Sequence, residues 1–118
     1  MNLLEVRESA INGKGVFALQ DIVKNTKIQD YKGVELTYKE FFSKYTDTSY
    51  CYNMNRINKI IVAKESPYNT MNISHYMNES KDPNIIFKKR AVYTLKDIKQ
   101  GEECFLKYPF NYKRNYKL

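Results

Sequence analysis

Apolar residues along this chain recur in short runs of four or five, each broken by residues that favour turns. The runs cover 3–7, 16–19, 27–31, 50–54, 60–63, 85–88, 92–95 and 104–108, and they are rich in Val, Ile, Phe and Tyr. Such residues fit the pleated, half-buried surface of a strand, so the pattern predicts a mostly-β chain of short strands. One helix stands out against it. Thr37-Tyr38-Lys39-Glu40 has the Ser/Thr-x-x-Glu form of a capping box, and Phe41, Phe42 and Tyr45 follow on roughly one face. A second, short helical turn is expected over 71–76.

Only four glycines are present, at 13, 15, 33 and 101, so each is expected to mark a positive φ or a close backbone approach. Asn12-Gly13-Lys14-Gly15 predicts a tight turn between two strands. There is no internal repeat, no low-complexity segment and no Pro/Gly/Ser linker, and the 118 residues suit one domain spanning 1–118.

Composition narrows the function classes. At 42% hydrophobic the chain can bury a core, yet no apolar stretch approaches the roughly 20 residues of a membrane span. The start of the chain lacks the basic-then-apolar form of a secretory leader, so an intracellular protein with no membrane association is expected. Cys51 and Cys104 lie far apart, and His75 is the single histidine, so no metal site and no disulfide framework are expected. The balance of 20 basic and 13 acidic residues gives +7, which favours acidic partners such as nucleic acid, here as a weak contact. Lys88-Lys89-Arg90 is among the densest basic patches.

Three separated segments carry candidate chemistry. Gly13-Lys14-Gly15-Val16-Phe17-Ala18 is a Gly-x-Gly turn before a strand, able to present bare backbone to a ligand, although a hairpin turn has the same form. His75-Tyr76-Met77-Asn78-Glu79-Ser80-Lys81-Asp82-Pro83-Asn84 runs from a helix-like stretch into a polar knot, whose side chains can fix irregular backbone. Asp97 to Tyr108 holds Gly101-Glu102-Glu103 and a strand ending in Tyr.

In this order and spacing, with Tyr31-Lys32-Gly33 between the first two, the segments resemble the SET-domain family of protein lysine methyltransferases. The resemblance runs from about Ser9 to Tyr108, leaves 109–118 as a tail, and places all four glycines on family positions. It implies a SET fold of short curved sheets with one or two short helices and a knot-like C-terminal threading, an exception to the usual avoidance of threaded loops. It also implies that the Asn78 segment lies beside the Tyr108 strand.

The roles it implies are specific. The backbone at Lys14 and Gly15 approaches S-adenosylmethionine, which leaves as S-adenosylhomocysteine. Asn78 binds the cofactor's amino end, with the Glu79 backbone near the adenine. His75 and Tyr108 belong to the same cofactor group, and Tyr108 is the catalytic tyrosine. Tyr50 or Tyr52 lines the lysine channel, with Phe87 and Leu106 near the amine. Because neither Phe87 nor Leu106 carries a hydroxyl, di- or trimethylation is the expected outcome. Relatives often close the channel with a cysteine-rich zinc segment; here Phe110, Tyr112 and Tyr116, or a second subunit in a homodimer, are expected to complete it. The sequence departs from the family at Glu79, where His is usual, at His75, where Arg is usual, and at Pro109, where Gly is usual. Asn25 stands where Gly is common.

The chemistry suits such a composition. Methyl transfer from a sulfonium to an amine is an in-line displacement that alignment accelerates. An apolar aromatic channel lowers the lysine pKa by desolvation, and aromatic faces hold cations. The expected substrate is a protein lysine, with histones the leading class and a nucleus the corresponding location. Two other readings compete: an inactive SET-like binding module, and a small basic domain that binds nucleic acid.

Overall fold

The computed structural model describes residues 3–11 and 13–107. Ten strands, two short α-helices and two 3₁₀ turns follow one another within that span. They fall into two compact units. One combines the residues before Tyr31 with Asn72–Lys107, and the other is Tyr31–Met71.

The first unit holds two sheets. In one, β1 (Leu4–Glu8), β2 (Lys14–Ala18), β10 (Glu103–Leu106) and β7 (Asn78–Glu79) lie in the order β1-β2-β10-β7. The β1–β2 hairpin closes with Ser9 N donating to Gly13 O at 2.7 Å, and Gly13 has φ +51°. Of the turn predicted at 12–15, Gly13 lies in this turn, whereas Lys14 and Gly15 already belong to β2. β10 pairs antiparallel with β2 and parallel with β7, which sets Phe105 opposite Asn78 and Leu106 opposite Glu79. The other sheet is β3 (Lys27–Asp30), β9 (Ala91–Thr94) and β8 (Ile85–Lys88), all antiparallel. Val16, Met77, Ile85, Val92, Ile98 and Cys104 are almost fully buried in this unit.

Asn25 takes φ +70°, the left-handed conformation for which Asn is the next choice after Gly. Thr94 holds that turn through three hydrogen bonds. Its carbonyl accepts from Asn25 N, its hydroxyl accepts from Thr26 N, and the same hydroxyl donates to Val23 O.

The second unit is built on β4 (Val34–Thr37), β6 (Lys59–Val62) and β5 (Cys51–Met54), with β6 in the centre. Gly33 enters β4 so close to β6 that a Cβ would lie 2.5 Å from Val62 O. Helix α1 (Tyr38–Lys44) starts as predicted. Glu40 N donates to Thr37 Oγ1, and Thr37 N donates to Glu40 Oε1. Phe41 is the residue of α1 that enters the core, with Cys51, Ile60 and Val62. The second helical turn is divided into α2 (Tyr68–Met71) and a 3₁₀ turn, Ile73–Tyr76, that opens the return into the first unit.

The observed architecture is therefore mostly β, in several small sheets with short helices. The expected C-terminal threading concerns the chain from Tyr108 onward, outside the described residues.

Candidate functional site

The first unit gathers its polar chemistry around one carboxylate. Ser9 Oγ donates to Glu103 at 2.9 and 3.0 Å, and Asn78 Nδ2 donates to Glu103 Oε2 at 2.8 Å. Asn78 Nδ2 also lies 3.1 Å from Lys14 O and 3.3 Å from Ser9 Oγ. Four chain segments thus converge: the end of β1, the start of β2, β7 and β10. Gly15 makes the convergence possible, since a Cβ there would come within 3.0 Å of Ser9 Cβ and collide with the Glu103 carboxylate.

Asn78 is only 9% exposed. Its side-chain bonds to described residues run through Nδ2, so Oδ1 remains an acceptor in a setting that already holds the Lys14 carbonyl and the Glu103 carboxylate. No Lys or Arg among the described residues forms an ion pair with Glu103. Such a concentration of acceptors and negative charge suits a ligand that carries an ammonium or a sulfonium. The residues present therefore fit S-adenosylmethionine, and Asn78 and the Lys14 carbonyl would hold its cationic amino end.

The polar knot that follows Asn78 braces β10. Asn84 acts as a strand would, with Phe105 N donating to its Oδ1 at 2.7 Å and its Nδ2 donating to Glu103 O at 3.0 Å. Asn84 N donates to Phe105 O, Ser80 N to Leu106 O, and Asp82 N to Ser80 Oγ.

The other candidates from this unit are placed as follows. Glu79 is half-buried in β7 opposite Leu106, which is 3% exposed. His75 is half-buried in the 3₁₀ turn before β7, its N donating to Asn72 O. Phe87 lies half-buried on β8, opposite Val92.

Two channel candidates belong to the second unit. Tyr52 is buried and packs on Tyr31 with ring centroids 5.8 Å apart. Tyr50 is 41% exposed and has φ +56°, an unusual conformation for a bulky residue. The segment before Tyr50 is pinned by Lys64, whose Nζ donates to Asp47 Oδ1 at 2.8 Å, Ser49 O at 2.7 Å and Ser49 Oγ at 3.1 Å. Hydrogen bonds from Lys64 and then from Ser49 hold the Asp47 carboxyl down at about 2. Ala63 N donates to Tyr50 O at 2.9 Å. Tyr108, Phe110, Tyr112, Tyr116 and Pro109 lie outside the described residues.

Both cysteines are buried free thiols, and burial pushes Cys51 up to about 11 and Cys104 up to about 12. No group of three or more His, Cys, Asp or Glu able to hold a metal occurs among the described residues. No described helix is long and apolar enough to cross a membrane.

Sequence reasoning did not single out Ser9 or Glu103 as site residues. The two are 94 positions apart, and nothing local marks the contact. The usable signal was the Gly-Glu-Glu motif, whose two acids have different tasks. Glu102 Oε1 accepts from Lys99 N and closes the turn, while Glu103 enters the cluster.

Comparison with known proteins identifies the family of the chain. The family model described as SET domain matches residues 13–109. A variant-silencing SET domain-containing protein of Plasmodium falciparum (isolate 3D7) is 30% identical over 126 aligned residues, an alignment that takes in 92% of this chain. The chain spans about 5% of the length of that relative.

Proposed function

This chain belongs to the SET-domain family, and from that premise we propose that it methylates a lysine side chain of a protein with S-adenosylmethionine as donor. The observation that carries the reading is the seating of Asn78. Parallel pairing with β10 fixes its backbone, and Glu103 and the Lys14 carbonyl fix its amide nitrogen. Its Oδ1 would then accept a hydrogen bond from the cofactor's ammonium. The Lys14-Gly15 backbone would hold the methionine end, and the Glu79 backbone would serve the adenine.

When bound, the cofactor supplies a methyl group on a sulfonium. The chain's task is to deliver a neutral amine in line with it. Aromatic side chains achieve this by desolvating the lysine, which favours its uncharged form. In this reading Tyr108 orients the amine, and Tyr50 and Tyr52 line the approach. Phe87 and Leu106 leave room for more than one methyl group. Phe110, Tyr112 and Tyr116 of the tail, or a partner copy, complete the wall, with a homodimer as the working form. Light scattering that showed a fully active monomer would remove the dimer from this account.

Histones are the substrate class to test first. Incubation with labelled S-adenosylmethionine and core histones, followed by mapping of the labelled residue, is expected to give a methylated lysine. Tyr108→Phe is expected to abolish turnover and retain cofactor binding by calorimetry. Absence of label from any protein lysine, together with unchanged cofactor binding in Tyr108→Phe, would favour the binding-module reading.

A further inference from the structure

The β8–β9 hairpin has a connection that its sequence makes costly. Lys88 pairs with Ala91, so the loop is the two residues Lys89 and Arg90. Their φ values are +51° and +62°. A two-residue turn with both φ positive matches the right-handed twist of the strands and strongly favours Asn-Gly or Asp-Gly. Neither Lys nor Arg has the local hydrogen bond or the missing Cβ that eases the left-handed region. Both side chains are exposed at the tip. Two cations thus occupy positions where backbone preference alone would select Asn, Asp or Gly.

The solvent face of the same sheet extends this charge. The register sets Ile86 and Lys27 on either side of Tyr93, and Lys88 follows Ile86 on that face. Ile86 is 37% exposed. Lys88 Nζ lies 4.7 Å from the centre of the Tyr93 ring and hydrogen-bonds Asn25 Oδ1. Lys24 is exposed beside Asn25. The carboxylates here are Asp30, paired with Lys27 at 2.6 Å, and Asp97, which accepts from Lys24 N at 2.7 Å. Five cations are therefore gathered here with two acids, Asp30 and Asp97.

We propose that the Lys89–Arg90 hairpin tip, with Lys88 and Lys24 behind it, is a contact for the phosphate backbone of duplex DNA. A two-stranded ribbon has the width that the major groove admits. A lysine point charge beside an arginine fork suits adjacent phosphates. The tip carries no apolar side chain for a peptide pocket, which favours DNA over an acidic protein. This contact is independent of methyl transfer, and neither reading depends on the other.

The test is fluorescence anisotropy with a labelled duplex of about 20 base pairs between 50 and 200 mM salt. The full chain is expected to bind, with affinity falling steeply as salt rises. Lys89→Asn/Arg90→Gly is expected to lower affinity roughly tenfold and to reduce the slope of log affinity against log salt by about 2, one step per lost phosphate contact. The same variant should unfold at a temperature higher by about 5 °C, because the turn is relieved. Lys89→Gln/Arg90→Gln, which keeps the original backbone preference, should show the same loss of binding. Lys39→Gln/Lys44→Gln removes equal charge from α1 and should leave affinity within about twofold. The proposal is overturned by an equal loss in that control, by a full chain that does not bind at 50 mM salt, or by equal or tighter binding of a polyglutamate peptide.

Discussion

Asn78 Nδ2 lies 2.8 Å from Glu103 Oε2, and the same carboxylate accepts the hydroxyl of Ser9. The amide nitrogen is thereby committed and the amide oxygen is presented. The orientation of Asn78 is therefore a property of Glu103, a residue on a different strand.

Asn78→Asp tests this dependence with almost no change in shape. It replaces a donor with a second carboxylate, at a position 9% exposed and within hydrogen-bond distance of the first. Two such groups cannot both ionise without repulsion, so a carboxyl pKa rises in the folded state. A raised folded pKa favours the folded state at low pH and costs stability as pH climbs beyond the unfolded value near 4. The expected loss is about 3 kcal/mol at pH 7, shrinking as pH falls toward 4. Urea unfolding at a series of pH values measures it. Equal destabilisation at pH 7 and pH 4 would mean that the two side chains do not meet. S-adenosylhomocysteine binding should be weakened far more by Asn78→Ala than by a change at the exposed Lys39.

The Lys64–Asp47 pair makes a separate prediction about acid stability. Asp47 has a folded pKa of about 2 against an ordinary 3.8, so its contribution is present above pH 4 and is lost as pH falls through 2. Its side chain is 39% exposed, and solvent screening limits the gain to roughly 1 kcal/mol. Asp47→Asn should therefore be less stable than the parent by a constant amount from pH 7 to pH 5. The two should converge between pH 4 and pH 2. Lys64→Met should also loosen the segment that ends at Tyr50, raising KM for a protein substrate more than it lowers kcat.

Much of the architecture was legible because it rests on local chemistry. The capping box at Thr37 and Glu40 forms as read, and most strands lie within a residue or two of the apolar runs. The glycines divide into two kinds, positive φ at Gly13 and Gly101 and close approach at Gly15 and Gly33. Two strands left little trace. In β4 the alternation Val34-Glu35-Leu36-Thr37 is only four residues long and just Leu36 is even half-buried, so pairing with β6 is what makes it a strand. β7 is two residues long and is defined by β10. The acids Glu35, Asp47 and Glu65 each meet a lysine in the fold, at 3.3 Å from Lys59, 2.8 Å from Lys64 and 3.9 Å from Lys44 respectively. Such long-range partners are written in no single segment.

Buried thiols should be chemically silent until the fold opens. Cys104 is fully buried and Cys51 is 9% exposed, and desolvation raises both above the usual thiol range. Thiolate is the reactive form, so labelling at pH 8 should be negligible in the native protein. In denaturant two thiols should react per chain. Rapid labelling of one thiol under native conditions would show that its surroundings open locally.

Asn84 offers the sharpest separation of two effects in the site's framework. Its Oδ1 accepts from Phe105 N, and its Nδ2 donates to Glu103 O, so one amide replaces the backbone of a missing strand. Asn84→Ala removes both bonds and should cost roughly 2 kcal/mol, with amide exchange at Phe105 accelerated. Asn84→Asp restores an acceptor for Phe105 N but sets a carboxylate oxygen against the Glu103 carbonyl. That variant should be at least as unstable as the alanine one, while its Phe105 amide stays protected relative to its own global stability. Hydrogen exchange read residue by residue, scaled to urea-derived stability, distinguishes the two. If Phe105 exchanges alike in both variants, Asn84 is a spacer in the turn and the bracing of β10 lies elsewhere.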